Sequence, residues 1–123
     1  EILEILDRVD SDFLGVNFDT GNCLRVFEDP VVAAGKLASR TYATHVKDID
    51  PSHGSPSDWT FWPSAAAGHG IIDMPGVVKA LGDGGYQGML CVEIDFLKDP
   101  AGDEVEAVEK AVHYLQDLLA AQQ

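Results

Sequence analysis

The sequence contains little cysteine and little positive charge. Its 123 residues include two cysteines, Cys23 and Cys91, which form no C-x-x-C pair and are too few for a disulfide framework. Eight lysines and arginines stand against 21 aspartates and glutamates, which gives a net charge of −13. Because a surface of this sign repels nucleic-acid phosphates and anionic lipids, we expect a protein that binds neither nucleic acid nor membranes. The cysteine pattern predicts reduced thiols and a cytoplasmic protein.

Long hydrophobic runs are also missing. No apolar segment approaches the ~20 residues of a membrane span, and no G-x-G-x-x-G follows a predicted strand, so dinucleotide binding has no support. The first residues, Glu1-Ile2-Leu3-Glu4, include no Met and no signal-like segment. They have the pattern of the middle of a helix, which predicts a truncated or split chain.

Hydrophobic periodicity predicts an α/β protein. Three strands are predicted at residues 13–19, 41–46 and 88–95, with an irregular segment over 47–71. Helices are predicted near residues 2–8, from Pro30, over 74–81 and over 104–119, the last with an apolar face formed by Val105, Val108, Val112, Leu115 and Leu119. Strands that alternate with helices favour parallel pairing, as in part of a (β/α)₈ barrel or in a doubly wound sheet.

Polar residues lie at the C-terminal ends of all three predicted strands. Because side chains alternate between faces, Asp19, His45 and Glu93 occupy the same face of successive strands, opposite an apolar face. Two carboxylates and an imidazole suit a divalent cation such as Mn²⁺, Mg²⁺, Co²⁺ or Zn²⁺. Asp19 could instead cap a helix and His45 could be structural, but a buried Glu93 is costly without a partner. The three positions together favour a metal site.

Four segments in order resemble one family. They are residues 14–22 (LGVNFDTGN), 44–48 (THVKD), 68–73 (GHGIID) and 84–93 (GGYQGMLCVE). Here the chain resembles the xylose isomerase-like TIM barrel superfamily, and within it the sugar phosphate isomerase/epimerase group. The resemblance implies that residues 1–123 are the sixth to eighth βα units of a (β/α)₈ barrel, preceded by the helix before the sixth strand. A whole barrel needs ~250 residues.

The resemblance also implies a single metal held by Glu, Asp, His and Glu from the fifth to eighth strands. Asp19, His45 and Glu93 match the last three ligands, Glu93 also matches a catalytic acid/base, and the first Glu is expected just upstream of residue 1. The implied function is a metal-dependent isomerase or epimerase that acts on a sugar, sugar phosphate or cyclitol through an enediolate. A lyase or dehydratase on the same scaffold is the first alternative.

A second alternative is a non-catalytic partial barrel or subunit. Three strands leave open sheet edges, so we expect the chain to need the N-terminal remainder of the barrel or a partner chain, with a homo-oligomer as one possibility. A DNA-repair endonuclease of the same superfamily is disfavoured. The D-x-x-H expected after the sixth strand stands here as Asp19-Thr20-Gly21-Asn22, without the histidine.

Four residues are candidates for binding a small carbohydrate substrate. Asn22 is placed to hydrogen-bond hydroxyls or to cap the following turn, and Lys47 to bind oxyanion charge or to pair with Asp48. Trp59 and Trp62 are candidates for an apolar wall over a sugar, or for packing of the long loop onto the barrel rim.

Overall fold

A computed structural model describes residues 1–53, 62–97 and 102–122. The helices are α1 (Ile2–Val9), α2 (Thr20–Arg25), α3 (Pro30–Leu37), α4 (Met74–Asp83) and α5 (Glu104–Ala121). The strands are β1 (Val16–Asp19), β2 (Thr41–His45), β3 (Asp48–Ile49) and β4 (Ser64–Ala65), and short 3₁₀ turns cover Ala38–Arg40 and Pro51–His53. None of the helices in the described part has the length and apolar composition that a bilayer crossing requires.

The α/β class is confirmed, and the first two predicted strands form a parallel pair. The register joins Val16 to Thr41 and Asp19 to His45, with one irregularity after Val16. Parallel pairing brings the C-terminal ends of both strands to the same edge. This edge carries the candidate metal ligands.

The third predicted strand, over residues 88–95, is not confirmed, because the structure has no continuous ladder there. The segment after Met89 runs parallel to β2, but the two are joined by one bridge, between Val46 and Val92. The backbone N–H of Val46 donates to Cys91 O (2.7 Å), and the N–H of Glu93 donates to Val46 O (3.0 Å). On the N-terminal side of this bridge, the Thr44 hydroxyl takes the place of backbone hydrogen-bond partners. It donates to Met89 O and accepts from Cys91 N–H. The segment therefore lies where the prediction put it, without a continuous ladder.

The predicted irregular segment 47–71 also contains regular structure. β3 and β4 pair antiparallel, with Asp48 opposite Ala65 and Ile49 opposite Ser64. Trp59 lies outside the described residues.

Aspartate caps start the helices that follow the strands. Asp29 accepts from the N–H groups of Val31 and Val32 at the start of α3, where Pro30 is the first residue as predicted. Asp73 and Asp103 cap α4 and α5 in the same way. A carboxylate at this position satisfies free N–H groups and complements the helix dipole.

The core lies between the apolar face of the strands and the helices. It combines Val16 and Phe18 of β1 with residues of α3, α4 and α5. In α5 the buried residues are Ala107, Ala111 and Leu115. Of the predicted apolar face of α5, Leu115 is buried in this chain, whereas Val105, Val108, Val112 and Leu119 are 38–67% exposed in it.

Candidate metal centre

The structure brings together the three residues at the strand ends. Each of these residues, Asp19, His45 and Glu93, contributes one donor atom, and the three atoms lie within 4.8 Å of one another. All three residues are half-buried. His45 Nδ1 is 3.2 Å from Glu93 Oε2 and 4.0 Å from Asp19 Oδ2. Donors this close can share one ion of ordinary coordination radius, since metal–oxygen and metal–nitrogen bonds are about 2.0–2.2 Å.

The donor set itself fits a metal. Two carboxylate oxygens and one imidazole nitrogen lie within 4.8 Å of one another, and divalent cations such as Zn²⁺ take these donor types. Glu93 Oε2 is buried, and its charge is balanced by Lys47 Nζ at 3.1 Å. The residues present therefore fit a divalent metal.

Asp19 is fixed by the helix that it starts. Its Oδ1 accepts from the backbone N–H of Asn22 (2.9 Å), and its Oδ2 accepts from the Asn22 side-chain amide (2.7 Å). Both interpretations of Asp19 therefore apply, since it caps α2 and also contributes to the donor group. The Asn22 amide is directed to Asp19, and its predicted role in binding substrate stays a prediction.

Asn17 orients His45 from the neighbouring strand. Its amide Nδ2 lies 3.3 Å from His45 Nε2, the ring nitrogen that does not face the carboxylates. An amide offers both a donor and an acceptor, so Asn17 can serve either tautomer of the ring. Sequence reasoning did not single out Asn17, although strand alternation places it on the same face as Asp19.

Lys47 occupies the inner side of the group. Its side chain is 4% exposed, and Nζ lies 2.7 Å from Asp95 Oδ2, 3.1 Å from Glu93 Oε2 and 3.6 Å from Asp19 Oδ2. Burial alone would lower the pKa of Lys47, but the contacts with Asp95, Glu93 and Asp19 outweigh it and raise the pKa. The ammonium is therefore charged beside the candidate ligands. Its predicted role toward substrate remains untested.

The alternative pairing of Lys47 with Asp48 is wrong. Adjacent residues of an extended segment point to opposite sides. Asp48 is fully buried away from the group, where its two oxygens accept from the backbone N–H groups of Ile49, Gly68, Gly70 and Ile72 at 2.9–3.1 Å. The carboxylate thus holds β3 against the turn at residues 68–72. Sequence reasoning gave it no such role.

Thr20 joins the ends of β1 and β2. Its buried hydroxyl donates to Lys47 O (2.5 Å) and accepts from Lys47 N–H (2.9 Å). Gly21 follows, and a Cβ there would lie 2.9 Å from Lys47 Cδ. The small residue therefore allows α2 to pack on the Lys47 stem. Trp62 is half-buried and packs on the core beside Gly21, Leu24 and Ile49.

Comparison with known proteins identifies the class. The sequence profile of the xylose isomerase-like TIM barrel family matches residues 1–118. A crystal structure of a xylose isomerase domain protein from Planctomyces limnophilus superposes with a TM-score of 0.77 at 28% identity, over 95% of this chain and 42% of that one. A crystal structure of an IOLI protein with a binding zinc atom gives a TM-score of 0.71 at 18% identity, over 96% of this chain and 42% of that one.

This chain belongs to the xylose isomerase-like TIM barrel family. Among curated relatives it is similar to the inosose dehydratase of Mesomycoplasma hyopneumoniae strain 7448, with 29% identity over 98% of this chain and 43% of that protein. It is 28% identical to the inosose dehydratase of Lacticaseibacillus casei, over 94% of this chain and 41% of that protein. The chain therefore spans less than half the length of the relatives it matches.

Proposed function

We propose that the protein carrying this chain is a metal-dependent lyase that removes water from a polyhydroxylated ketone of the inosose type. In this proposal the chain supplies the sixth to eighth βα units of the barrel. The observation that carries the proposal is the convergence of Asp19, His45 and Glu93, whose donor atoms lie within 4.8 Å of one another. Relatives named inosose dehydratase support dehydration over the isomerase or epimerase that the sequence first favoured.

Asp19, His45 and Glu93 would hold the ion. A bound divalent ion supplies Lewis-acid polarisation of a ketone and an adjacent hydroxyl, which acidifies the carbon next to the carbonyl. Asn22 fixes the carboxylate of Asp19, and Asn17 fixes the ring of His45. Ligands held by such hydrogen bonds keep their orientation when an ion is absent.

The chemical step requires a base and an acid. A carboxylate takes the proton from the carbon next to the carbonyl, and the electron pair of that C–H bond forms a C=C bond as the adjacent C–O bond breaks. The departing hydroxide takes a proton from an acid and leaves as water. The product is first an enol, because the carbon next to the carbonyl keeps its hydroxyl, and this enol tautomerises to the dione. Glu93 is our candidate for one of these two roles, because its carboxylate is half-buried and belongs to the donor group. The second group lies outside this set of residues.

The test compares product and metal content in the full protein. We expect the wild type to retain about one divalent ion per chain by elemental analysis and to convert inosose into a dehydrated dione, detected by mass loss of one water. Glu93→Gln keeps the shape of the side chain but removes its charge and basicity. We expect it to lower kcat at least about 100-fold, the usual contribution of a general acid or base.

Glu109→Gln is the matched control, because Glu109 is exposed on α5 and the substitution makes the same charge change. It should leave kcat and metal content unchanged. Formation of an isomer of unchanged mass would favour the isomerase or epimerase reading instead. A wild type that retains no divalent ion, or a Glu93→Gln variant with full activity, would contradict the proposal.

A further inference from the structure

The ammonium of Lys47 is enclosed by three carboxylates, of which only two belong to the candidate ligand group. Asp19 Oδ2 and Glu93 Oε2 lie 3.6 and 3.1 Å from Nζ, and the third carboxylate, Asp95, is closest at 2.7 Å. Asp95 is not one of the donors within 4.8 Å. Its hydrogen bond therefore ties Nζ to a carboxylate outside the ligand group.

Asp95 is itself held from outside the group. Its backbone N–H donates to the hydroxyl of the buried Ser64 (3.1 Å), and the guanidinium of Arg25 lies 3.8 Å from Oδ2. These contacts come from β4 and α2, so the position of the carboxylate does not depend on Lys47 alone. The chain from Arg25 through Asp95 to Lys47 fixes a positive charge beside the donors.

The local charge is negative and favours a cation. Three carboxylates, the Lys47 ammonium and the Arg25 guanidinium leave one net negative charge when His45 is neutral, as a metal ligand must be. Without the ammonium, the net charge of the group would be more negative by one. Lys47 therefore stabilises the empty group and repels an incoming cation, since both effects follow from the same charge.

We propose that Asp95 is a positioning residue that holds the Lys47 ammonium at the edge of the donor group, where the ammonium weakens metal binding. This inference rests on the metal site of the proposed function. In this inference Lys47 sets the metal affinity, and Asp95 keeps the Lys47 ammonium out of the position that the metal ion would occupy. Neither residue has to touch substrate for this role.

Zn²⁺ affinity of the full protein, measured by competition with a chromogenic chelator, tests the proposal without any activity assay. Removing the ammonium in Lys47→Met should tighten Zn²⁺ binding about tenfold, because a unit charge within several ångströms of a divalent ion contributes at least this much even in aqueous surroundings. Asp95→Asn should weaken binding about tenfold, since it removes a negative charge and releases the ammonium toward Glu93 and Asp19.

The double variant Lys47→Met/Asp95→Asn removes both charges together. It should bind Zn²⁺ within about threefold of the wild type, because the two charge effects have opposite signs. It also covers the case in which Lys47→Met alone fails to fold for lack of a counter-ion. Lys79→Met and Asp83→Asn are matched controls, because this exposed pair on α4 carries the same charges and should leave Zn²⁺ affinity unchanged.

A role in folding alone would weaken Zn²⁺ binding in all three variants. Weaker binding by both Lys47→Met and the double variant would therefore overturn the proposal, as would an Asp95→Asn variant with wild-type affinity. If the wild type itself binds no Zn²⁺, the proposed function fails as well. If the wild type binds Zn²⁺ and only the variant pattern differs, this inference alone fails.

Discussion

Asp48→Asn is expected to be among the most damaging single-atom changes in this chain. The carboxylate is 0% exposed, and each oxygen accepts two backbone N–H groups: Oδ1 from Ile49 and Ile72, and Oδ2 from Gly68 and Gly70. Asparagine has nearly the same shape, but one of its two terminal atoms is an NH₂ donor. Whichever way the amide is turned, two backbone N–H groups face a donor instead of an acceptor.

The magnitude follows from the number of bonds lost. A hydrogen bond to a charged acceptor contributes about 1.5–3 kcal/mol, so the loss of two predicts about 3–6 kcal/mol of unfolding free energy. Native proteins are stable by only about 5–15 kcal/mol. The substitution should therefore remove a large part of the free energy of unfolding, even though it creates no cavity and eliminates a buried charge.

Urea unfolding of the full protein measures this difference. Asp29→Asn is the matched control, because Asp29 is an exposed N-cap and asparagine caps a helix about as well as aspartate. It should change the free energy of unfolding by less than about 0.5 kcal/mol. An Asp48→Asn variant that loses no more than Asp29→Asn would refute the reasoning. It would mean that the four N–H groups find other partners at little cost.

Two further predictions concern the same region. Gly70→Ala should lower the free energy of unfolding in urea by about 1–3 kcal/mol, because its Cβ would collide with Asp48 Oδ1. The control Gly35→Ala has open space on α3 and should stabilise the protein slightly. Equal losses of stability in the two variants would contradict the predicted collision. In metal-free protein, burial and the nearby Asp19 raise the pKa of Cys23 from 9.0 to about 11. Mass spectrometry should therefore find its alkylation at pH 8 about 100-fold slower than for an ordinary thiol and rising with pH, whereas fast labelling at pH 8 would refute the raised pKa.

Strand alternation in the sequence was sufficient to predict which residues meet. Asp19, His45 and Glu93 were expected on one face at the ends of successive strands, and the structure places their donor atoms within 4.8 Å. Parallel pairing of β1 with β2, and the bridge at Val92, make strand ends coincide. The period-2 pattern persists where the third segment lacks a full ladder, because the Val46–Val92 bridge and the contacts of the Thr44 hydroxyl hold the segment beside β2.

Contacts between distant segments could not be predicted in the same way. Asp95 was on the correct face, but nothing local indicated that it would pair with Lys47, 48 residues away in the sequence. On α5, Ala107 and Ala111 are buried in the core of this chain, although they give a weaker hydrophobic signal than the neighbouring valines. Small residues that allow close approach are recognised only when the partner surface is known.

Residues 45–48 explain how one short segment serves both the site and the fold. His45 and Lys47 point toward the donor group, whereas Val46 and Asp48 point away from it. Val46 joins β2 to the segment that carries Glu93, and Asp48 fixes the turn at residues 68–72. A shift of one residue in this register would exchange all four environments, burying His45 and exposing Asp48 to the carboxylates. The cost of leaving four backbone N–H groups without Asp48 therefore also protects the geometry of the candidate metal centre.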